Sequence, residues 1–213
     1  MIPTAAALPR TRRVLRHALV ILVIVALAIV GLAVYRSAAA AGSLGDTPGG
    51  RHAPAPDAPD GAVTAADGLL PDGATAFDEG YPGVARLSPA LLDAVKRAST
   101  DAASGGVVIR VNSGWRSAEY QDRLLQEAVE QYGSAEEAAR WVASPETSAH
   151  VAGDAVDVGS YDAVDWLAGQ GAAYGLCQTY GNEPWHFELR PEAVDRGCPP
   201  PYIDPTQDPR AHG

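Results

Sequence analysis

Ser148-Ala-His-Val-Ala-Gly-Asp-Ala-Val-Asp157 packs a histidine, two carboxylates and a glycine into ten residues that otherwise look like a turn feeding a strand. His150 offers a neutral imidazole nitrogen and Asp157 a carboxylate oxygen, both ordinary ligands for a divalent metal such as zinc, whose catalytic sites use three protein ligands and keep one position open. Two ligands do not complete such a site. The third is expected downstream, where Glu183-Pro184-Trp185-His186 supplies a histidine and, three residues before it, a carboxylate able to take a proton from water.

The local pattern places these residues. Alternation along Ala155 to Val158 reads as a strand with Ala155 and Asp157 on one face and Val156 and Val158 on the other. Ser144-Pro145 breaks the preceding helix, so His150 is expected in a loop. Between Glu183 and His186, Pro184 excludes a regular helix, and a straight strand would point the two side chains to opposite faces. A turn through Pro184 must bring them together.

Upstream, Ser88-Pro89 opens a helix carrying Leu91, Leu92, Val95 and Ala98 on one face, and Gly105-Gly106 closes it. The β-branched run Val107 to Val111 reads as a strand that leads into Asn112-Ser-Gly-Trp-Arg-Ser117. Ser117 caps a helix with Leu124, Leu125 and Ala128 as its apolar face and Gly133 as its stop. Ser134 and Glu137 form a capping box for a short helix carrying Trp141. Val164 to Tyr174 is helical with Trp166 and Leu167 inward, and Leu176–Tyr180 and Trp185–Leu189 are the last strands. Irregular alternation with short links predicts an α+β fold, a small and largely antiparallel sheet flanked by helices.

Outside this domain, expected at 76–202, the chain has a different character. Arg10, Arg12, Arg13 and Arg16 lie in a basic segment, 1–17, before an unbroken apolar run of 18 residues from Ala18 to Tyr35. That run spans about 27 Å as a helix, long for a secretory signal core, and predicts a transmembrane anchor at 18–35, although the small residues Ala38 to Gly42 leave cleavage open. Residues 36–75, rich in Ala, Pro and Gly, read as a disordered tether, and 203–213 as a tail. The arginines stay inside, so the domain is extracytoplasmic.

The formal charge is −10, but six arginines lie at or before Arg51 against a single acid, Asp46; from residue 52 onward 10 basic side chains face 25 acidic ones. Nucleic-acid binding needs clustered Lys and Arg, so that class is excluded. In such an acidic domain an anionic substrate needs a local positive site, and Arg116, in a loop at a strand end, is suited to a carboxylate. Cys177 and Cys198 are the only cysteines, and an even count in an exported domain predicts a disulfide closing a loop around Glu183 and His186.

Three separated segments agree with one family. Ser113-Gly114-Trp115-Arg116-Ser117, Ser148-x-His150-x-x-Gly153-x-Ala155-x-Asp157 and Glu183-Pro184-Trp185-His186 resemble the zinc D-alanyl-D-alanine carboxypeptidases of the VanY type, which share the hedgehog/D,D-peptidase fold. The resemblance runs from about Leu87 to Leu189. It implies one Zn²⁺ ion held by His150, Asp157 and His186, with Glu183 as general base and later proton donor to the departing amine. It further implies Arg116 on the substrate's terminal carboxylate, and Gln121 and Ser148 hydrogen-bonding near the scissile amide. Trp185, between site residues, is expected to touch substrate.

The sequence departs from the family pattern in two places. Trp115 stands where a tyrosine is usual, and Glu188 where an arginine is common. The implied substrate is the D-alanyl end of a peptidoglycan stem peptide or precursor. An L,D-carboxypeptidase, a D,D-dipeptidase or an endopeptidase would share the same residues, while a non-catalytic cell-wall-binding module would be expected to lack Glu183.

Overall fold

The computed structural model describes residues 62–212. The anchor expected at 18–35 and the tether as far as residue 61 lie outside the described residues. Among the described residues no helix is long and apolar enough to cross a membrane.

A four-stranded sheet forms the centre, with strands β1 (Arg110–Ser113), β2 (Ala155–Gly159), β3 (Leu176–Gln178) and β4 (His186–Leu189). Their spatial order is β1-β2-β4-β3 and every neighbouring pair is antiparallel. Around it lie helices α1 (Pro82–Ala85), α2 (Pro89–Ser104), α3 (Ala118–Tyr132), α4 (Ala135–Ala138), α5 (Ala149–Ala152), α6 (Tyr161–Gln170) and α7 (Ala193–Arg196). The expected α+β class with a small antiparallel sheet is what forms.

The sheet has one dry face and one polar face, as strand alternation requires. Val111, Val156, Val158, Leu176 and Phe187 join Leu91, Val95, Ala98 and Ala102 of α2 and Ala163 and Leu167 of α6 in one buried cluster. The spacing of those α2 residues is the three-and-four rhythm of a core-facing helix stripe. On the opposite face the register sets Asp157 beside His186 and Ala155 beside Glu188. Burying the dry face therefore fixes which side chains face the other way.

A slip in β1 extends this logic. Val111 opposes Val158 but Ser113 opposes Asp157, so Asn112 is an extra residue, a β-bulge. The bulge lets Val111 go to the core while Ser113, two residues later, reaches the polar face. Without it both would point the same way.

Several boundaries differ from the sequence pattern. The first strand begins at Arg110 rather than Val107, because its ladder starts only where Arg110 meets Gly159, and Val108 is 56% exposed. Tyr180 leaves the β3 ladder and bridges Tyr202 instead. His150 lies on a one-turn helix, α5, rather than in a loop; Gly153 ends it in the left-handed conformation, φ +78°. Trp141 falls beyond the end of α4.

The domain also extends past both expected edges. Thr64 and Asp67 form a capping box, the Asp67 carbonyl accepts from the Ser117 backbone N–H at 2.8 Å, and Ala74 is buried. Residues 62–75 are therefore packed structure, not tether. Residues 203–212, within the tail expected at 203–213, bury Asp204 and Asp208 against the body. The expected disulfide Cys177–Cys198 is present and ties β3 to the segment after α7.

Candidate metal centre

His150, Asp157 and His186 meet on the polar face of the sheet, brought there by α5, β2 and β4. His150 Nε2 lies 3.2 Å from His186 Nδ1 and 3.3 Å from Asp157 Oδ1, and His186 Nδ1 lies 3.2 Å from that same oxygen. Three donor atoms thus form a nearly equal-sided triangle. Tetrahedral ligands at zinc bond lengths of about 2.0–2.1 Å are separated by about 3.3–3.4 Å, so the donors already stand at the spacing of a zinc site.

Tautomers agree with that geometry. His150 Nδ1 is 2.7 Å from the Gly114 carbonyl, which can only accept, so Nδ1 carries the proton and Nε2 is bare. His186 uses its nitrogens the other way round: Nε2 faces the Glu188 carboxylate at 3.3 Å, which leaves Nδ1 toward the cluster. Partners of this kind orient a ligand ring and set which nitrogen binds metal. The Gly114 carbonyl can stand so close because a Cβ on that residue would lie 2.1 Å from the Gly83 oxygen; only glycine fits.

Charge in the site favours a cation. Burial opposes ionisation of Asp157, but the adjacent His150, His186 and Arg116 outweigh it and hold the carboxyl well below its usual range. His186 also resists charging through burial, yet its hydrogen bonds to Asp157 and Glu188 raise it to about 9. Burial and the neighbouring Arg116 lower His150. An ionised carboxylate between two imidazoles is a donor set suited to a bound cation.

Glu183 stands beside this triangle. The His186 N–H bonds to the Glu183 carbonyl at 3.1 Å, closing the turn through Pro184 required of the sequence, and Glu183 Oε2 comes within 3.8 Å of His186 Nδ1. The side chain is buried, which raises its carboxyl to about 7, and Oε1 has no hydrogen-bond partner among the described residues. An orphaned carboxylate oxygen in a buried site is costly unless something else occupies its bonding direction.

Arg116 reaches in from the loop after β1. Its Nε donates to the Ser113 hydroxyl at 2.8 Å, one Nη to Gln121 Oε1 at 3.1 Å and the other to Asp157 Oδ2 at 2.6 Å. The bulge at Asn112 is what puts Ser113 there. Gln121 is buried and also donates to the Ala143 carbonyl, so its amide braces Arg116 and the far loop. Ser148 sits at the start of α5 without using its hydroxyl as a cap.

These residues open into a cleft of about 420 Å³. One wall is the face of α3 that carries Gln121, Leu124 and Ala128, so the apolar stripe read from the sequence faces a cleft as much as a core. Trp185, 41% exposed, stands at the rim with Trp141, whose indole stacks on Tyr132 with centroids 5.7 Å apart. Tyr132 was not singled out by the sequence patterns, and Glu188 was noted only as a departure from the family pattern, with no place in the site. For Glu188 a signal existed: strand alternation after His186 returns to the same face two residues later.

Comparison with known proteins bears on this constellation. A family model described as VanY, D-alanyl-D-alanine carboxypeptidase, matches residues 84–192, just over half of the chain. A D-alanyl-D-alanine carboxypeptidase of Enterococcus faecalis (strain ATCC 700802 / V583) is 33% identical over 127 residues, 48% of this chain and 46% of the relative; the chain thus spans less than half of that relative's length. Among solved structures, a mutant of the vancomycin resistance D,D-pentapeptidase VanY in complex with Zn(II) is 26% identical, with a TM-score of 0.46 over 48% of this chain and 72% of that one. An L,D-carboxypeptidase, DacB, from Streptococcus pneumonia is 29% identical, with a TM-score of 0.44 over 52% and 71%.

Proposed function

The chain belongs to the VanY D-alanyl-D-alanine carboxypeptidase family, and from that premise we propose that it is a zinc peptidase of the bacterial envelope that removes the terminal D-alanyl residue of peptidoglycan stem peptides or their precursors. The observation that carries this reading is the pairing of a ready triangle of three donor atoms with an unpartnered, buried Glu183 oxygen beside it. A structural metal site would close its fourth position with another side chain; here the cleft adjoins it.

In this proposal His150 through Nε2, His186 through Nδ1 and Asp157 through Oδ1 hold one zinc ion. When bound, zinc supplies Lewis acidity that polarises an amide carbonyl and acidifies water. Glu183 takes a proton on Oε1 as water attacks and delivers it to the departing amine; a carboxyl raised to about 7 can do both near neutral pH. Arg116 spends three of its five N–H groups on Ser113, Gln121 and Asp157, and offers the others to the substrate's terminal carboxylate. Gln121 fixes that guanidinium. Ser148 and Trp185 line the cleft and are assigned to the peptide on either side of the scissile bond.

The N-terminal arginines and the apolar run 18–35 support a membrane-anchored protein with its catalytic domain outside the cytoplasm. The disulfide suits an oxidising compartment.

The test is to incubate the full-length protein with a muramyl pentapeptide, the matching tetrapeptide and free D-alanyl-D-alanine, with and without chelator, and weigh the products. Loss of one alanine from the pentapeptide, abolished by chelator and restored by zinc, is expected. Cleavage of the tetrapeptide alone would replace the D,D reading with an L,D one, and cleavage of the free dipeptide alone with a dipeptidase.

A further inference from the structure

The carboxylate of Glu188 is almost wholly enclosed, with its side chain 3% exposed. Strand alternation sends it to the same face as His186 while Phe187 between them enters the core. Its Oε1 accepts from His186 Nε2 at 3.3 Å and from Arg210 Nη2 at 2.8 Å, and its Oε2 pairs with Arg190 at 3.1 Å. Arg190 is two residues away along the chain. Arg210 arrives from 22 residues beyond, on the segment expected as the C-terminal tail.

That segment is built to deliver it. Tyr202 bridges Tyr180, Asp204 accepts from Arg140 at 3.1 Å, and the Asp204 side chain caps the short 3₁₀ turn Pro205–Gln207. Asp208 then accepts the Tyr180 hydroxyl at 3.0 Å and both its oxygens take Arg210 Nε at 3.0 Å. The Tyr180 ring lies 4.9 Å from that of His186. The links from Tyr202 and Asp208 both end on Tyr180, the ring that lies against His186.

We propose that Arg210 is a positioning residue for the candidate metal centre: it holds Glu188 Oε1 against His186 Nε2 and so keeps His186 Nδ1 turned toward His150 and Asp157. A neutral imidazole presents a bare Nδ1 only while its proton stays on Nε2, and an acceptor fixed at Nε2 enforces that. Arg210 shares the oxygen that His186 uses, whereas Arg190 holds the other one. Without Arg210 the carboxylate is free to turn toward Arg190. The inference rests on the reading of His186 as a metal ligand for its consequence, but not for the contact itself.

Two measurements on the full-length chain separate the two. Zinc affinity is read by competition with a chromogenic chelator, and the His186 ring N–H by ¹⁵N-resolved proton spectra of the metal-free protein. Arg210→Ala is expected to weaken zinc by roughly 10- to 100-fold, the usual effect of removing an outer partner of a ligand, and to shift or erase the Nε2–H signal, with Arg210→Lys recovering part of both. Thr206→Ala, which loosens the same segment without touching Glu188, serves as the control for simple destabilisation. Zinc affinity and ring signal unchanged in Arg210→Ala, or reduced no more than in Thr206→Ala at matched thermal stability, would overturn the proposal. A wild-type protein that binds no zinc, with the ring signal still lost in Arg210→Ala, would keep the positioning role and sink the metal reading instead.

Discussion

The two halves of the metal triangle are supported in opposite ways. His150 and Asp157 lie seven residues apart, and what orients them is near: a one-turn helix ended by Gly153, the start of β2, and the Gly114 carbonyl delivered by the loop after β1. His186 hangs on β4 and is oriented by Glu188, Tyr180 and, through them, by Asp208 and Arg210. In the first half His150 is held by backbone and glycine, which do not titrate, and Asp157 by its strand and by the Arg116 guanidinium at 2.6 Å. The second is held by charged side chains from distant segments and by a disulfide. The first half draws one charged partner, Arg116, from the loop after β1, whereas the second draws several from the segments around residues 180–210.

The sharpest way to separate them is to ask what each half does besides holding metal. Glu183 belongs to the second half, on the turn that leads into His186. Glu183→Ala is expected to keep zinc bound while turnover of the pentapeptide falls by about 10²- to 10⁴-fold, the range for loss of a general acid–base. Asp157→Ala should lose both together. A Glu183→Ala protein with full turnover would remove the functional difference between the halves and leave only the structural one.

Opening the disulfide probes the second half next. Cys177 and Cys198 close a loop of 21 residues that contains Glu183, His186 and Glu188. In the chain-entropy account such a crosslink stabilises by about 3 kcal/mol. Cys177→Ser with Cys198→Ser is expected to lower the melting temperature by about that equivalent and to weaken zinc binding with it. An equal loss of stability with zinc affinity untouched would show that the two halves are mechanically independent.

How far each half was legible in the sequence follows from the same contrast. Ser148 to Asp157 could be read because its constraints are local: a glycine where the backbone must turn, and a period of two that sets Asp157 opposite Val156. The Glu183–His186 turn was legible for the same reason, since Pro184 leaves few other paths. The extra residue at Asn112 was not, because a bulge shows only when the partner strand's register is known. Nor was the role of residues 203–212: Asp204, Asp208 and Arg210 read as polar tail until Tyr180, Arg140 and Glu188 stand opposite them. The apolar stripe on α3 was legible as a face and no further, since periodicity does not say whether protein or substrate covers it.

Acid offers the mildest way to favour one half over the other. Burial opposes ionisation of Asp204 and Asp208, but hydrogen bonds from Thr206 and Arg140 to the first, and from Arg210 to the second, leave both carboxyls lowered. A carboxyl with a lower pKa folded than unfolded stabilises the fold above its unfolded value, about 3.9 for aspartate, and that stability is lost as pH falls through the folded value. Above about pH 5 the segment's contribution should therefore be complete and flat, with loss setting in below about pH 4. Melting curves between pH 6 and 3 check this. Asp208→Asn, which keeps the shape but not the charge, is expected to flatten the acid limb slightly and to lower stability at pH 6. If the variant and the wild type instead lose stability in parallel down to pH 3, the charge of Asp208 contributes nothing, and the segment is held by its other contacts, Arg210 to Glu188 and Asp204 to Arg140.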